Sequence, residues 1–258
     1  MSSKIKKNLT FWTFKAYNKK EEGDILSYQL EVENKIETFP VRDLIVANVF
    51  LKEKLSHIPV NAYYKSLERM VNKGKLKKIA KGVYCRPKIT RFGEISSCEE
   101  NILDYYIGKE KLKGIVIGYR LFNKYGITTQ VSKTIEIYSN ILEEEKKNIN
   151  NIKIKKINLS INVEIKKAIE QLEILQHYTE IEDANKNKFR AFINTIVESY
   201  SDEVFINVLS NIKYKKRTIA FLESILNNNN KRNTISRFLN RTSKYKIPEM
   251  GEIYESAY

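Results

Sequence analysis

Residues 59–93 read PVNAYYKSLERMVNKGKLKKIAKGVYCRPKITRFG, a stretch that predicts one helix, one basic turn and one tight hairpin. Apolar residues recur at helical spacing from Val60 to Lys73, and Gly74 is the residue type that ends a helix in the left-handed conformation. Two short strands follow, joined by a turn in which Gly82 can supply a positive φ. The window holds ten Lys or Arg residues and one acidic residue, which is +9 of the whole chain's +15.

The predicted helix has two faces. At about 100° per residue, one stripe is expected to be the core face: it consists of Val60, Tyr64, Leu67 and Val71. The other face combines small side chains, which permit close approach, with long basic or polar ones that can reach base edges and phosphates: it consists of Asn61, Ala62, Lys65, Ser66, Arg69 and Lys73. The basic residues of the hairpin are expected to contact phosphates: they are Lys77, Lys78, Lys81 and Arg86. A helix followed by a basic hairpin is typical of a winged helix-turn-helix that binds double-stranded DNA.

The distribution of charge supports a nucleic-acid partner. Residues 1–90 carry 19 basic and 9 acidic groups, residues 91–162 carry 12 and 9, and residues 163–258 carry 15 and 13. A general bias of composition toward Lys would spread the excess of positive charge more evenly along the chain. An ordinary solvated surface is therefore the second interpretation, after a nucleic-acid partner. Binding to a membrane surface comes third, because no basic amphipathic helix has an obvious exposed apolar face.

The sequence contains few signs of catalysis or metal binding. The P-loop, GxGxxG, GxSxG and HExxH patterns are missing, and the two histidines stand alone, so an enzyme is not expected. Cys85 and Cys98 lack the spacing of a zinc module, and we predict neither a metal site nor a cofactor. No apolar run is long enough for a bilayer and none follows the basic start as a signal peptide requires, so a cytoplasmic protein is expected.

Hydrophobic periodicity predicts an α+β protein: an N-terminal winged helix-turn-helix followed by a small α/β unit and a C-terminal helical region. The predicted boundaries are 1–90 for the DNA-binding domain with an N-terminal extension, 91–160 for the α/β part and 161–258 for the helical part. Before residue 59, one helix is expected from Asp24 to about Ile36, although the alternation of apolar and polar residues at 26–32 also permits a strand. A short extended entry at 38–44 is expected to lead into a second helix that runs to about Leu55.

After residue 93 the sequence predicts further helices and strands. A helix is expected from Ser97 to Ile107, and a short one from Tyr119 to Tyr125. Strands are expected at 114–117, 134–138 and 152–157, with a solvated loop at 143–147. The C-terminal helices are predicted at 163–176, 185–200, 202–212, 216–227 and 234–240.

Three blocks of this sequence together resemble the AbiEi-type antitoxins of abortive-infection toxin–antitoxin systems. They are LERMVNKGKL at 67–76, GVYCRPKITRFG at 82–93 and GYRLFNKYGITTQV at 118–131. The order of the blocks is that of the family, and they cover about residues 40–140. The residues of the third block that we assign to the family's antitoxin-domain motif are Tyr119, Asn123, Thr128, Thr129 and Gln130. A weaker resemblance to the family occurs at 239–245, where Arg241 replaces the usual proline. Residues 1–37 match nothing in the family.

The resemblance implies a function. It implies an antitoxin of a bacterial phage-defence system, which represses its own operon by binding promoter DNA. Its partner would be a nucleotidyltransferase-type toxin, countered without a requirement for stable contact. The alternative is a stand-alone winged-helix transcriptional regulator whose C-terminal region senses a ligand or forms a dimer.

Overall fold

A computed structural model of the chain describes residues 27–96, 99–248 and 251, and the fold is mixed α+β. The chain forms two compact units, Met1–Ile102 and Leu103–Tyr258. Two predicted helix starts, Asp24 and Ser97, lie outside the described residues.

Over residues 27–96, the first unit contains three helices and a three-stranded antiparallel sheet. In chain order these are helix α1 (27–37), strand β1 (Leu44–Val46), helices α2 (Ala47–Lys54) and α3 (Val60–Asn72), and strands β2 (Lys77–Ala80) and β3 (Val83–Cys85). The sheet has the order β1-β3-β2, so β2 lies at one edge. A separate hairpin of β4 (Lys88–Thr90) and β5 (Gly93–Ile95) follows.

The predicted second helix is wrong at its start. Leu44–Val46 is a strand that pairs with β3, and the helix begins only at Ala47. The apolar run from Leu44 fits helical spacing, but pairing of its backbone with β3 satisfies the peptide groups in a sheet instead. This strand closes the sheet on the side opposite β2.

The core of the first unit joins all three helices to the sheet. Its largest contributions come from side chains with 2% exposure or less: they include Val32, Ile36, Ile45, Leu55, Tyr63, Leu67, Met70 and Leu76. Gly74 has a φ of +71° after the end of α3, and Gly82 has a φ of +68° in the β2–β3 turn, as their positions in the sequence predict.

The second unit begins with a mixed four-stranded sheet. Helix α4 (Glu99–Ile107) crosses the division between the units and is followed by β6 (Gly114–Ile117), α5 (Tyr119–Lys124), β7 (Ile135–Ser139), β8 (Lys146–Ile149) and β9 (Ile152–Lys156). The sheet order is β6-β7-β9-β8, in which only β7 and β9 are parallel. The alternation of Ile135 and Ile137 predicted β7, and both side chains are buried.

Strand β8 is absent from the sequence predictions. Residues 143–147 were expected to form a loop, but β8 begins at Lys146 and pairs with β9. Ile149 is the only buried residue of β8. Because a mostly polar edge strand gains its stability from backbone pairing, it leaves almost no hydrophobic pattern.

Helices form the rest of the second unit, close to their predicted bounds. They are α6 (Val163–His177), α7 (Lys186–Ser199), α8 (Asp202–Asn211) and α9 (Lys216–Asn228). Asn162 and Asn185 cap α6 and α7 by accepting hydrogen bonds from Ile165 and Lys188 backbone amides at 2.7 and 3.0 Å. The last predicted helix, 234–240, is instead a short 3₁₀ turn, Ile235–Phe238.

The units divide between Ile102 and Leu103, whereas the sequence prediction placed the boundary after Thr90. Thr90 ends β4, so the predicted boundary would separate the two strands of the β4–β5 hairpin. Over the described residues, no helix combines the length and apolar character needed to cross a membrane.

Candidate nucleic-acid interface

Helix α3 presents an exposed face that carries the polar residues of the predicted interface. The buried side of the helix consists of Tyr63, Ser66, Leu67 and Met70. Asn61 and Lys65 are exposed, and so is Arg69 in the last turn. A helix with one side fixed in a core and the other side solvated can lie against a second surface without losing its packing.

The predicted core stripe of α3 is wrong at two of its four positions. Val60 is 58% exposed and Tyr64 is 38% exposed, whereas Leu67 is buried as predicted and Val71 is partly buried. The buried stripe instead runs through Tyr63 and Met70. Because Tyr63 and Tyr64 are adjacent, the sequence permits either of them to face the core. The stripe that is buried also contains Ser66, a polar residue, which made it look like a solvent-facing stripe in the sequence.

Two residues that were assigned to DNA contact are held inside the first unit. Ser66 is 2% exposed, and its hydroxyl donates a hydrogen bond to the carbonyl oxygen of Ala62 at 2.9 Å. Ala62 is partly buried and packs against the core. The Ser66 side chain is not placed to reach a base edge, so its assignment is corrected, whereas the partly exposed Ala62 stays a prediction.

Basic residues at the end of α3 are bound to acidic and amide groups of α1. Arg69 donates to the side-chain oxygen of Gln29. Lys73 lies 3.3 Å from Glu33, and Lys75 lies 3.0 Å from the other oxygen of the same carboxylate. These contacts fix α1 against α3, and they give Arg69 and Lys73 structural roles that compete with binding to DNA.

Glu33 is the centre of this cluster, and its replacement provides a pH-dependent test. Hydrogen bonds from Gln29 and then Lys75 hold its pKa at about 2, below the usual 4.5. A pKa that is lower in the folded state stabilises the protein above pH 4.5, and this stabilisation is lost as pH falls toward 2. Because both lysines are partly exposed, we expect Glu33→Gln to lower the free energy of unfolding at pH 7 by about 1 to 2 kcal/mol.

Urea unfolding at pH 7 and at pH 3, followed by hydrogen exchange in α1 and α3, measures this effect. The difference between the wild type and Glu33→Gln should shrink at the lower pH. Glu68→Gln, at an exposed position of α3, is the matched control. Equal pH profiles for the two variants would contradict the role of Glu33.

The predicted phosphate contacts of the hairpin also divide into two groups. Lys77 forms an ion pair with Glu94 of β5 at 3.1 Å, and Arg86 donates to the carbonyl oxygen of Phe39. Lys78 and Lys81 are exposed, with Lys81 in the turn itself. Lys78 and Lys81, with Lys65 and Asn61 of α3, are therefore the predicted residues best placed to contact an external polyanion.

The β4–β5 hairpin exposes apolar side chains that sequence reasoning did not single out. Phe92 is 85% exposed at its tip and Ile89 is 71% exposed. The Arg91 guanidinium lies 4.6 Å from the centre of the Phe92 ring, and the Thr90 hydroxyl donates to the Gly93 carbonyl at 2.8 Å. The alternation of apolar and polar residues around a glycine was the signal that could have indicated a second hairpin.

The motif residues of the second unit are mainly engaged in packing and turns. Tyr119 packs partly buried against the core, and Thr128 is 5% exposed, with its hydroxyl accepting from the Gln130 backbone at 3.2 Å. The side chain of Gln130 reaches the Glu182 carbonyl at 3.5 Å. The side-chain oxygen of Asn123 is buried and has no hydrogen-bond partner among the described residues. Thr129 is exposed.

A cavity with a volume of about 640 Å³ lies among the helices of the second unit. Leu175, Phe221 and Ile247 supply apolar lining, and Arg217 supplies a cation. Thr218 also lines it; this residue is 1% exposed, and its hydroxyl has no hydrogen-bond partner in the described part of the chain. The cavity could hold a small molecule with both apolar and polar groups.

Comparison with known proteins gives structural neighbours and one family. The crystal structure of the RV2827C protein from Mycobacterium tuberculosis aligns with a TM-score of 0.38 and 11% identity, over 78% of this chain and 76% of that one. No curated protein matches the sequence. Residues 31–202, about two thirds of the chain, match DUF6088, a family of unknown function, and the chain therefore belongs to the DUF6088 family.

Proposed function

We propose that this protein is a DNA-binding antitoxin that represses its own operon. The DNA-binding part of the proposal is carried by one observation, the arrangement of the first unit around α3. The antitoxin part is carried by the three sequence blocks that resemble the AbiEi-type antitoxins.

The element order of the first unit supports a winged helix-turn-helix. Its order is α1-β1-α2-α3-β2-β3, and the sheet order is β1-β3-β2. In this interpretation α3 is the recognition helix that enters the major groove, and the β2–β3 hairpin is the wing beside the backbone. The wing is short, because the turn between its strands consists of Lys81 and Gly82.

The exposed groups suit a duplex that is held mainly through its phosphates. Lys65, Lys78 and Lys81 are cations for the backbone, and Asn61 can donate to and accept from a base edge. With about three phosphates neutralised by these lysines, the slope of log K against log salt is expected to be about −2.7. Arg69, Lys73, Lys77 and Arg86 add to the positive field, although each already contacts another part of the first unit.

The antitoxin part of the proposal gives the protein a second partner besides promoter DNA. The resemblance implies a nucleotidyltransferase-type toxin, and the protein would counter it through the second unit without a requirement for a stable complex. Tyr119, Asn123, Thr128 and Gln130 belong to the motif that carries this resemblance. Their packing suggests that the motif maintains the shape of the unit, while the exposed Thr129 is available for contact.

Binding to the protein's own promoter tests the DNA-binding part. The full chain is titrated into a labelled duplex from upstream of its gene, with a shuffled duplex as the control, and fluorescence anisotropy is read from about 50 to 200 mM salt. Tighter binding to the promoter, with a slope near the expected value, supports the proposal. Equal, weak binding to both duplexes at low salt contradicts it.

The cavity of the second unit favours one alternative, a stand-alone winged-helix regulator that senses a ligand. The unpartnered hydroxyl of Thr218 and the nearby Arg217 would fix the orientation of a ligand whose apolar part contacts Phe221. Such a regulator has no toxin to counter. Harmless expression of the gene next to it would favour this alternative.

A further inference from the structure

A small basic cleft lies in the second unit, apart from the cavity described above. It has a volume of about 160 Å³ and is lined by residues of α5, α6 and β6 and of the turn before β6. Its charged residues are Lys111, Arg120, Lys124, Lys166 and Glu170. Four cations and one carboxylate give this cleft a net charge of +3.

The single carboxylate is already occupied. Glu170 is 4% exposed, and its oxygens lie 2.6 and 2.9 Å from the ammonium group of Lys124. The hydroxyl of Tyr125 donates to the same carboxylate at 2.7 Å. Because Glu170 is held by these two groups, it balances the charge of Lys124 and leaves Lys111 and Lys166 as an excess of positive charge in the lining.

Lys166 shows this excess most clearly. Burial lowers its pKa, and the positive charges of Lys124 and Lys111 lower the pKa further, while Glu170 opposes them. The backbone amide of Lys166 donates to the Asn162 carbonyl at 2.9 Å, but over the described residues its side chain makes no hydrogen bond or ion pair. An anion that enters the cleft would supply the acceptor that this side chain lacks among the described residues.

The fold holds these cations in position. Arg120 and Lys124 are four residues apart on α5, and Lys166 and Glu170 are four residues apart on α6, so each pair shares one helix face. The Asn162 cap fixes the first turn of α6. At Gly114, which also lines the cleft, an added Cβ would lie 2.5 Å from the Tyr138 carbonyl oxygen, so no larger residue fits there.

We propose that this cleft binds the phosphate group of a soluble compound, either pyrophosphate or a nucleotide whose phosphates enter while its base remains outside. Several converging cations favour a group with more than one negative charge over a carboxylate. The volume is below the roughly 300 to 1,000 Å³ of sites that enclose a whole drug-sized ligand. The proposal concerns the second unit alone and does not depend on DNA binding by the first.

Calorimetric titration of the full chain with pyrophosphate, ADP and a short RNA duplex tests the assignment and separates the sources of phosphate. We expect pyrophosphate or ADP to bind the wild type, and Lys166→Met to weaken that binding by about tenfold or more. Lys167→Met is the matched control, since Lys167 is exposed on the same helix and lines a different depression. Lys166→Arg should retain most of the binding.

A chemical readout accompanies the titration. Because its pKa is lowered, Lys166 should react faster with an amine-directed reagent at pH 8 than Lys167 does, and pyrophosphate should protect Lys166 selectively. Thermal unfolding without ligand establishes that each variant is folded. Binding that is equal in Lys166→Met and Lys167→Met, or no binding of any probe, overturns the site. A response to RNA alone overturns the assignment to a soluble compound.

Discussion

Replacing Lys65 and Lys81 together by Glu is expected to weaken binding to promoter DNA by at least about a hundredfold at 100 mM salt. Each lysine lost removes about one counterion from the salt dependence, and each carboxylate introduced repels the backbone. The slope of log K against log salt should therefore become shallower by about two. Both side chains are exposed and neither belongs to the core, so the first unit should remain folded.

A control with the same change of charge separates a local effect from a general one. Lys35→Glu with Lys213→Glu alters the net charge equally, at exposed positions on α1 and before α9. This pair should reduce affinity much less, since neither lysine belongs to α3 or the β2–β3 turn. An equal loss in both double variants would mean that only net charge matters, and would contradict α3 and the turn as the interface.

Met70→Ala is expected to destabilise the first unit by about 2 to 5 kcal/mol, whereas Val60→Ala should cost less than about 1 kcal/mol. Met70 is fully buried beside Tyr63 and Leu67, so truncation leaves a cavity. Val60 is 58% exposed in the first turn of the same helix. The comparison tests the orientation of α3, because an interpretation based on the Val60–Tyr64 stripe predicts a large effect at Val60.

Denaturant unfolding followed by pulsed hydrogen exchange measures the two variants, since peptides from α3 report the first unit separately from the second. Peptides from α6 should unfold at the same denaturant concentration in both variants and in the wild type. A larger loss for Val60→Ala than for Met70→Ala would mean that α3 is rotated from its described orientation.

Local signals in the sequence predicted most of the helices and the β2–β3 hairpin. Gly74 and Gly82 marked a helix end and a turn where a positive φ was required, and apolar residues at helical spacing marked the C-terminal helices. These predictions depend on residues near each other in the chain, which is why they could be made without the fold.

Features set by distant partners could not be predicted in this way. Strand β1 exists because β3 pairs with it, and strand β8 exists because β9 pairs with it. The roles of Arg69 and Lys73 depend on α1, about forty residues earlier in the chain. A basic residue therefore looked available for DNA in the sequence although a contact with α1 had already engaged it.

For the candidate site too, the sequence indicated exposed cations but not the orientation of α3. Lys65, Lys78 and Lys81 remain the exposed cations that the sequence indicated, whereas Ser66 turned inward because helix rotation decides which side of α3 meets the core. The basic cleft around Lys166 joins charged residues separated by up to 59 positions, from Lys111 to Glu170, and had no motif of its own.

Growth of cells that express the gene next to this one, with and without this protein, tests the proposed antitoxin function most directly. We expect the neighbour alone to arrest growth and this protein to restore it, both as wild type and as the Lys65→Glu/Lys81→Glu variant, because the second unit is proposed to counter the toxin. Normal growth with the neighbour alone, or an arrest that the folded wild-type protein fails to relieve, would contradict the account.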